Sequence, residues 1–214
     1  MYVPQSFVET DQTTLHEFIE QHSFATLISH GGQAPQASHL PLLLEPSDEG
    51  QGTLLGHMAK ANVQWQQADG QSVLAIFHGP HTYISPTWYQ ATGRDAERVV
   101  PTWNYVTVHA IGTFQLIEDR ERLHAVVQRT VETYERDMPD PWAMAEVDAE
   151  FQEQLLDGIV GFEIVIDELQ GKWKLNQNHD EARRRNVIQA LQQAGGEDQR
   201  AIAELMTQTL EREA

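Results

Sequence analysis

Cysteine is absent from all 214 residues, which removes disulfides, thiolate nucleophiles and Cys-ligated zinc or iron–sulfur clusters from consideration. No apolar run reaches the roughly 18 residues of a membrane-spanning helix. The opening MYVPQSFVET has neither a basic leader nor a hydrophobic segment, so no secretory signal is expected and the cytoplasm is the expected compartment. Positive charge is also scarce: 14 basic residues stand against 32 acidic ones, a formal net charge of -18. Such a field repels phosphate polymers on average, and generic binding to DNA, which requires several phosphates to be neutralised, is disfavoured. The one dense basic stretch, Arg183, Arg184 and Arg185, lies beside Asp180 and Glu181 and reads as a solvated helix face. Two catalytic signatures are missing as well: GxSxG, the nucleophile elbow of hydrolases, and GxGxxG, the dinucleotide fingerprint.

What is present is enough for a folded core: 40% hydrophobic residues, with five Trp, seven Phe and five Tyr. TDQTTLHEFIEQH places Leu15, Phe18 and Ile19 at helical spacing behind Thr10 or Asp11 as cap. FATLIS, QASHLPLLLE, GTLLGHMA, SVLAIFHG and HTYISPTWY then read as short strands, punctuated by HGGQAP, PSDEGQG, ADGQ and Gly79-Pro80. A polar loop, QATGRDAERV, precedes a long strand, NYVTVHAIGTFQLI, and GIVGFEIVIDELQGKWKLN reads as a late strand or a hairpin. Between them DRERLHAVVQRTVETYERDM carries Leu123, Val126, Val127 and Val131 on one helical face. HDEARRRNVIQALQQAG and EDQRAIAELMTQTLERE read as a polar helical tail broken at Gly195-Gly196. At least six strands without regular βαβ alternation predict an antiparallel sheet curled into a small barrel with peripheral helices.

Only three lysines occur. Lys60, in GHMAKANVQW, is the one basic residue in the first 93 positions, among eight acids, and Lys172 and Lys174 flank Trp173 in GKWKLNQN. Each location pairs a cation with an aromatic ring and amides: Lys60 with Asn62 and Trp65, Lys174 with Trp173, Asn176, Gln177 and Asn178. These are the parts that hold a flat, phosphorylated, hydrogen-bonding ligand. A lone lysine at a strand end is also a common solubilising residue. His78 and His81 in HGPH lack an HExxH pattern or a third ligand and read as turn or edge histidines, so no metal is expected. Trp88 and Tyr89 read as core or dimer packing.

The strings MYVPQSF, HLPLLL, GHMAKAN, FHGPHTYISPTWY, VPTWNYVTVHAIG, IVGFEI and GKWKLNQN occur in that order from residue 1 to about 180, and in this the chain resembles the PaiB family, the FMN-binding negative transcriptional regulators. It has Val63 where the family motif favours proline and Asn176 where it favours serine. The resemblance implies an FMN-binding split barrel, similar to pyridoxamine-phosphate oxidases and flavin reductases, over residues 1–176, with a helical extension over 177–214. It also implies a homodimer with FMN at the interface between subunits. It gives Lys60 the FMN phosphate, with His57 and Asn62 as hydrogen-bond partners. Ser38 and the backbone of His39 and Leu40 fall to the ring or ribityl chain. Trp103, Asn104 and Tyr105 approach the ring, from the same or the other subunit, and Trp173 and Lys174 take a place like the C-terminal tryptophan and basic residue of the oxidases. A flavin-binding repressor and an FMN-dependent oxidoreductase both remain open at this point, and a direct contact with DNA is implied by the family role but opposed by the charge.

Overall fold

The computed structural model of the chain describes residues 1–32, 34–90 and 99–213. The expected polar loop QATGRDAERV lies mostly outside the described residues. In chain order the elements are β1 (Val8–Glu9), α1 (Gln12–Gln21), β2 (Phe24–Gly31), β3 (Ala34–Pro41), β4 (Leu43–Glu45), β5 (Thr53–Ala59), α2 (Gln64–Ala68) and β6 (Ser72–Ile84). They continue with β7 (Thr102–Ile117), α3 (Arg120–Glu135), α4 (Ala149–Asp157), β8 (Ile159–Lys174), α5 (Glu181–Ala194) and α6 (Glu197–Glu213). Among the described residues the strands form one eight-stranded sheet in the order β3-β2-β6-β7-β8-β5-β4, with β1 on β8. β2 pairs antiparallel with β3 and β6, and β5 antiparallel with β4 and β8. No described helix is long and apolar enough to cross a membrane.

One reading of the strands is corrected here. Gly79-Pro80 does not divide two strands, because β6 runs through it to Ile84. Its pairing with β2 covers only Val73 to Ile76, so the N–H that Pro80 lacks is not needed on that side. Of the two readings of the late segment, the single strand is the one found, β8.

The chain divides into two compact units. The Lys60 unit comprises His16–Phe77 and His109–Leu169. Its core holds Leu27, Leu42, Leu54, Leu55, Phe77 and Ile164, all but inaccessible, around the stacked rings of Phe114 and Phe162, whose centroids are 4.6 Å apart. Gly56 is required where β5 crosses that pair: a Cβ there would lie 2.7 Å from Phe162 and 2.8 Å from Leu42. α3 starts on the Asp119 carboxylate, which accepts from the Arg122 N–H, a side-chain cap. Arg122 and Arg129 both pair with Glu45, and Arg129 also donates to the Leu44 carbonyl, fixing α3 to β4. The sequence reading did not anticipate α4, a short helix capped by Asp148 on the Phe151 N–H and tied to Arg120 through Glu153 and Asp157.

The Lys172 unit comprises Met1–Leu15, His78–Val108 and Gln170–Ala214. Here β1 meets β8 with Val8 opposite Lys172 and Glu9 opposite Gly171. Gly171 permits that approach, since a Cβ would stand 2.4 Å from the Leu15 side chain and 2.8 Å from the Glu9 carbonyl. α5 is capped by Asp180 and ends at Gly195, whose φ of 71° glycine adopts without strain. The tail is not polar throughout, as its composition suggested. Val187, Ile188 and Leu191 of α5 and Ile202, Ala203, Met206 and Leu210 of α6 are buried, the apolar stripe of two packed helices. Nor are Arg183 to Arg185 a wholly solvated face: Arg184 is buried and pairs with Glu213, while Arg183 and Arg185 pair with Asp180 and Glu181.

Candidate functional site

Lys60 follows the last residue of β5, and its backbone is fixed at both ends. Its N–H donates to the Gly158 carbonyl at 2.9 Å, and its carbonyl accepts the Trp65 indole N–H at 3.1 Å. The next turn closes when the Asn62 N–H reaches the Ala59 carbonyl at 2.8 Å. The Lys60 side chain is exposed and takes part in no ion pair among the described residues. The turn therefore presents a rigidly based, solvated ammonium, and Trp65 serves as its brace.

Asn62 connects this turn to β3. Its Nδ2 donates to Ser38 Oγ at 2.8 Å, Ser38 Oγ donates to Gln64 Oε1 at 2.5 Å, and Asn62 Oδ1 accepts the Gln64 N–H at 3.1 Å. Gln64 is 2% exposed, and its Nε2 reaches Ser29 Oγ at 3.0 Å and the carbonyls of Leu27 and Gln36 at 3.3 Å. Ser38 thus spends its only hydrogen on Gln64. Phosphate oxygens only accept hydrogen bonds, so Ser38 has no donor to offer an anion and instead orients the Asn62 amide. Asn62 retains its second N–H.

His57 stands within β5, before Lys60 and opposite Gly161 of β8. It is half-buried, and burial lowers its pKa below the ordinary 6.5, so it is a neutral hydrogen-bonding ring at pH 7. His39 is exposed, with Nδ1 3.0 Å from Thr26 Oγ1, and Leu40 is buried. Among the six candidates of this unit, direct hydrogen bonds join Ser38 and Asn62.

The other five candidates belong to the Lys172 unit. Trp103 is 54% exposed and faces Tyr83 and His81, with ring centroids 6.1 and 6.2 Å away. These three rings line an open cleft of about 500 Å³ together with Glu197 and Asp198. Asn104 is fully buried: Nδ2 lies 3.5 Å from Met206 Sδ, and Oδ1 has no partner among the described residues. Its side chain packs beneath α6 rather than facing a ligand, since no part of it reaches solvent. Lys174 Nζ donates to Thr102 Oγ1 at 2.5 Å and to the Trp103 carbonyl, and desolvation followed by the charge of Lys172 lowers its pKa. Trp173 is half-buried, its carbonyl held by Gln177 Nε2 at 2.6 Å. Tyr105 lies under Lys172, whose Nζ is 5.1 Å from the ring centroid.

Two residues escaped the reading of the sequence. Gln64 organises the Lys60 turn through partners far away along the chain, and nothing near it signals that burial. Lys172 is buried, although its spacing on both sides of Trp173 made it look like an equal of Lys174.

A family model described as "Putative FMN-binding domain" matches residues 1–168. Among curated relatives, "Protease synthase and sporulation protein PAI 2" of Bacillus subtilis (strain 168) is 34% identical over 214 residues, covering the whole of both chains. Among solved structures, the flavocytochrome Anf3 from Azotobacter vinelandii aligns with a TM-score of 0.58 at 13% identity, over 80% of this chain and 72% of its own. The FAD and heme binding protein from Mycobacterium smegmatis aligns with a TM-score of 0.56 at 16% identity, over 88% and 80%. At such identities these structures speak for the fold, which is the split barrel.

Proposed function

The chain belongs to the FMN-binding-domain family in its PaiB branch, with FMN as its cofactor, and from that premise we propose that the Lys60 turn seats the FMN phosphate in a cytoplasmic homodimer. The observation that carries this reading is an exposed ammonium on a backbone bound at both ends. An anion meeting it finds the backbone of the turn already ordered, so only the rotamer freedom of the lysine side chain is lost on binding. Asn62 adds a second N–H, and neutral His57 adds a hydrogen-bonding ring that gains affinity for its proton when a phosphate approaches. The His39 and Leu40 backbone on β3 takes the ribityl chain. Trp103, Tyr105, Trp173 and Lys174 complete the site at the ring from the partner subunit, and buried Asn104 supports Trp103 and Tyr105 from below. When bound, FMN supplies hydride or electron chemistry, and the protein supplies position and electrostatics.

Lys60→Ala should weaken FMN about 100-fold, or ~2.7 kcal/mol, and leave riboflavin, which lacks the phosphate, unchanged in a fluorescence titration. Equal losses for both ligands would remove the phosphate from Lys60. Sedimentation of the FMN-loaded protein should give a dimer.

The family role in negative regulation of transcription is the first reading of what the flavin serves. Direct DNA contact through the basic stretch is disfavoured by the net charge and by the pairing of each of Arg183, Arg184 and Arg185 with a carboxylate. The second reading is an FMN-dependent oxidoreductase of the flavin reductase or pyridoxamine-phosphate oxidase kind. It is favoured by the open cleft beside Trp103, which has room for a small molecule. Anaerobic addition of NADH or NADPH separates the two: rapid bleaching of the flavin, with reoxidation in air, supports the enzyme.

A further inference from the structure

We propose that Lys172 and Lys174 together form a seat for an oxyanion, a phosphate or carboxylate carried by a small molecule. Naming that molecule as one that meets the flavin rests on the reading above; the seat itself does not.

Residues two apart on a strand project from the same face, so Lys172 and Lys174 emerge side by side at the end of β8. Lys172 is 7% exposed, yet the direct contacts of its Nζ are with neutral groups: the Tyr2 carbonyl at 3.1 Å and the rings of Tyr2 and Tyr105, at 5.8 and 5.1 Å. Lys174 likewise meets only the Thr102 hydroxyl and the Trp103 carbonyl. An ammonium carries three donors, so both retain hydrogens with no acceptor among the described residues.

A buried cation is normally paired with a carboxylate, because desolvation is otherwise uncompensated. This chain has 32 acids from which to choose, yet it places none beside either lysine among the described residues. Glu9, the acid of the adjoining strand, is occupied elsewhere: it stands opposite Gly171 rather than Lys172, Oε1 accepts the N–H groups of Thr10 and Asp11, and Oε2 lies 3.5 Å from Arg212. Desolvation first, and then the charge of Lys172, lower the affinity of Lys174 for its proton. Holding two like charges together without an acid is unfavourable for the fold alone. An incoming oxyanion relieves it, accepting the unused hydrogens and neutralising both charges. Tyr2, whose ring lies over Lys172, is an 83% exposed residue, so the pair is approached on that side through the surface and not through the core.

With three lysines in the chain, protein labelled with ¹³C at lysine Cε gives three separable signals. The FMN-loaded protein is titrated with inorganic phosphate and, separately, with acetate. The expected result is that the Lys172 and Lys174 signals shift together with one midpoint while Lys60 stays put. In Lys174→Met the Lys172 shift should need at least tenfold more anion. Tighter phosphate names a phosphate monoester as the natural group, and equal or tighter acetate names a carboxylate. Lys172 and Lys174 signals unmoved by both anions, or Lys172 responding undiminished in folded Lys174→Met, would overturn the seat. Adding FMN to the apoprotein tests the other reading independently: an unmoved Lys60 signal removes the phosphate from Lys60 and leaves the response of the pair intact.

Discussion

At Lys60 the backbone is bound and the side chain reaches solvent, whereas at Lys172 the side chain is enclosed by two tyrosine rings and a carbonyl. The arginines behave differently from both. Every ion pair found among the described residues uses an arginine: Arg120, Arg122 and Arg129 in the Lys60 unit, and Arg183, Arg184, Arg185 and Arg212 in the Lys172 unit. The forked guanidinium satisfies two acceptors at once and suits fixed structural pairs, while the compact ammonium is a point charge that a passing anion can use. In a chain with few cations, the arginines tie elements together and the lysines stay available. The two lysine sites differ in what keeps them so. At Lys60 it is a polar network that stabilises the fold, and at Lys172 it is burial that works against it.

That difference predicts opposite signs for two substitutions. Gln64→Leu removes the centre of the Lys60 network and strands Ser29 and Ser38 together with two carbonyls. At about 1–3 kcal/mol for each buried polar group left unpaired, and with partial relaxation, the loss should be near 3 kcal/mol in urea denaturation. FMN affinity should fall with it, because Ser38, which orients the Asn62 amide, loses the acceptor that fixes its own hydroxyl. Retention of full stability would mean that the network is incidental. Lys172→Met keeps a similar shape and deletes a buried charge with no carboxylate. Replacements of that kind are neutral or stabilising, so the folded state should hold or gain about 1 kcal/mol, while the response of Lys174 to phosphate is lost. A loss of several kcal/mol would show that the cation is a structural post, and the contrast between the sites would collapse.

The sequence made the short-range half of this legible. The Lys60 turn lies within a few residues of its own chain, and the strands announced themselves by apolar runs between turns, so both could be read directly. Gln64 could not, because its partners sit at 27, 29, 36 and 38 and become neighbours only when β2 and β3 pair. Lys172 and Lys174 have the same local surroundings, and their unequal burial depends on Tyr2 and Tyr105, far away along the chain. Asn104 seemed ligand-facing beside Trp103, but alternation along β7 turned it inward under Met206. The apolar stripes of α5 and α6 were present at helical spacing, and average polarity concealed them. Gly79-Pro80 looked like a break because a proline in a strand is tolerated only where a ladder is one-sided, which pairing alone decides.

The smallest effect should be on pH dependence, and it bears on both units. Burial lowers the pKa of His22 and His57 in the Lys60 unit and of His179 in the Lys172 unit, each from an ordinary 6.5. For a base whose folded pKa is depressed, the unfolded chain binds more protons between the folded value and 6.5, so stability rises with pH through that window. The apoprotein should therefore be at full stability above pH 6.5, with respect to these groups, and lose stability as the pH falls below it, until the folded values are passed. His57→Asn should flatten that limb by one histidine's share. FMN should flatten it in the same way if its phosphate stands near His57, because the anion restores the ring's affinity for a proton and brings the folded value back toward the unfolded one. Thermal unfolding between pH 5 and 8, with and without FMN, reads this directly. An FMN-induced flattening that survives in His57→Asn would place the phosphate away from that ring, and with it the role of His57 at the Lys60 turn would go.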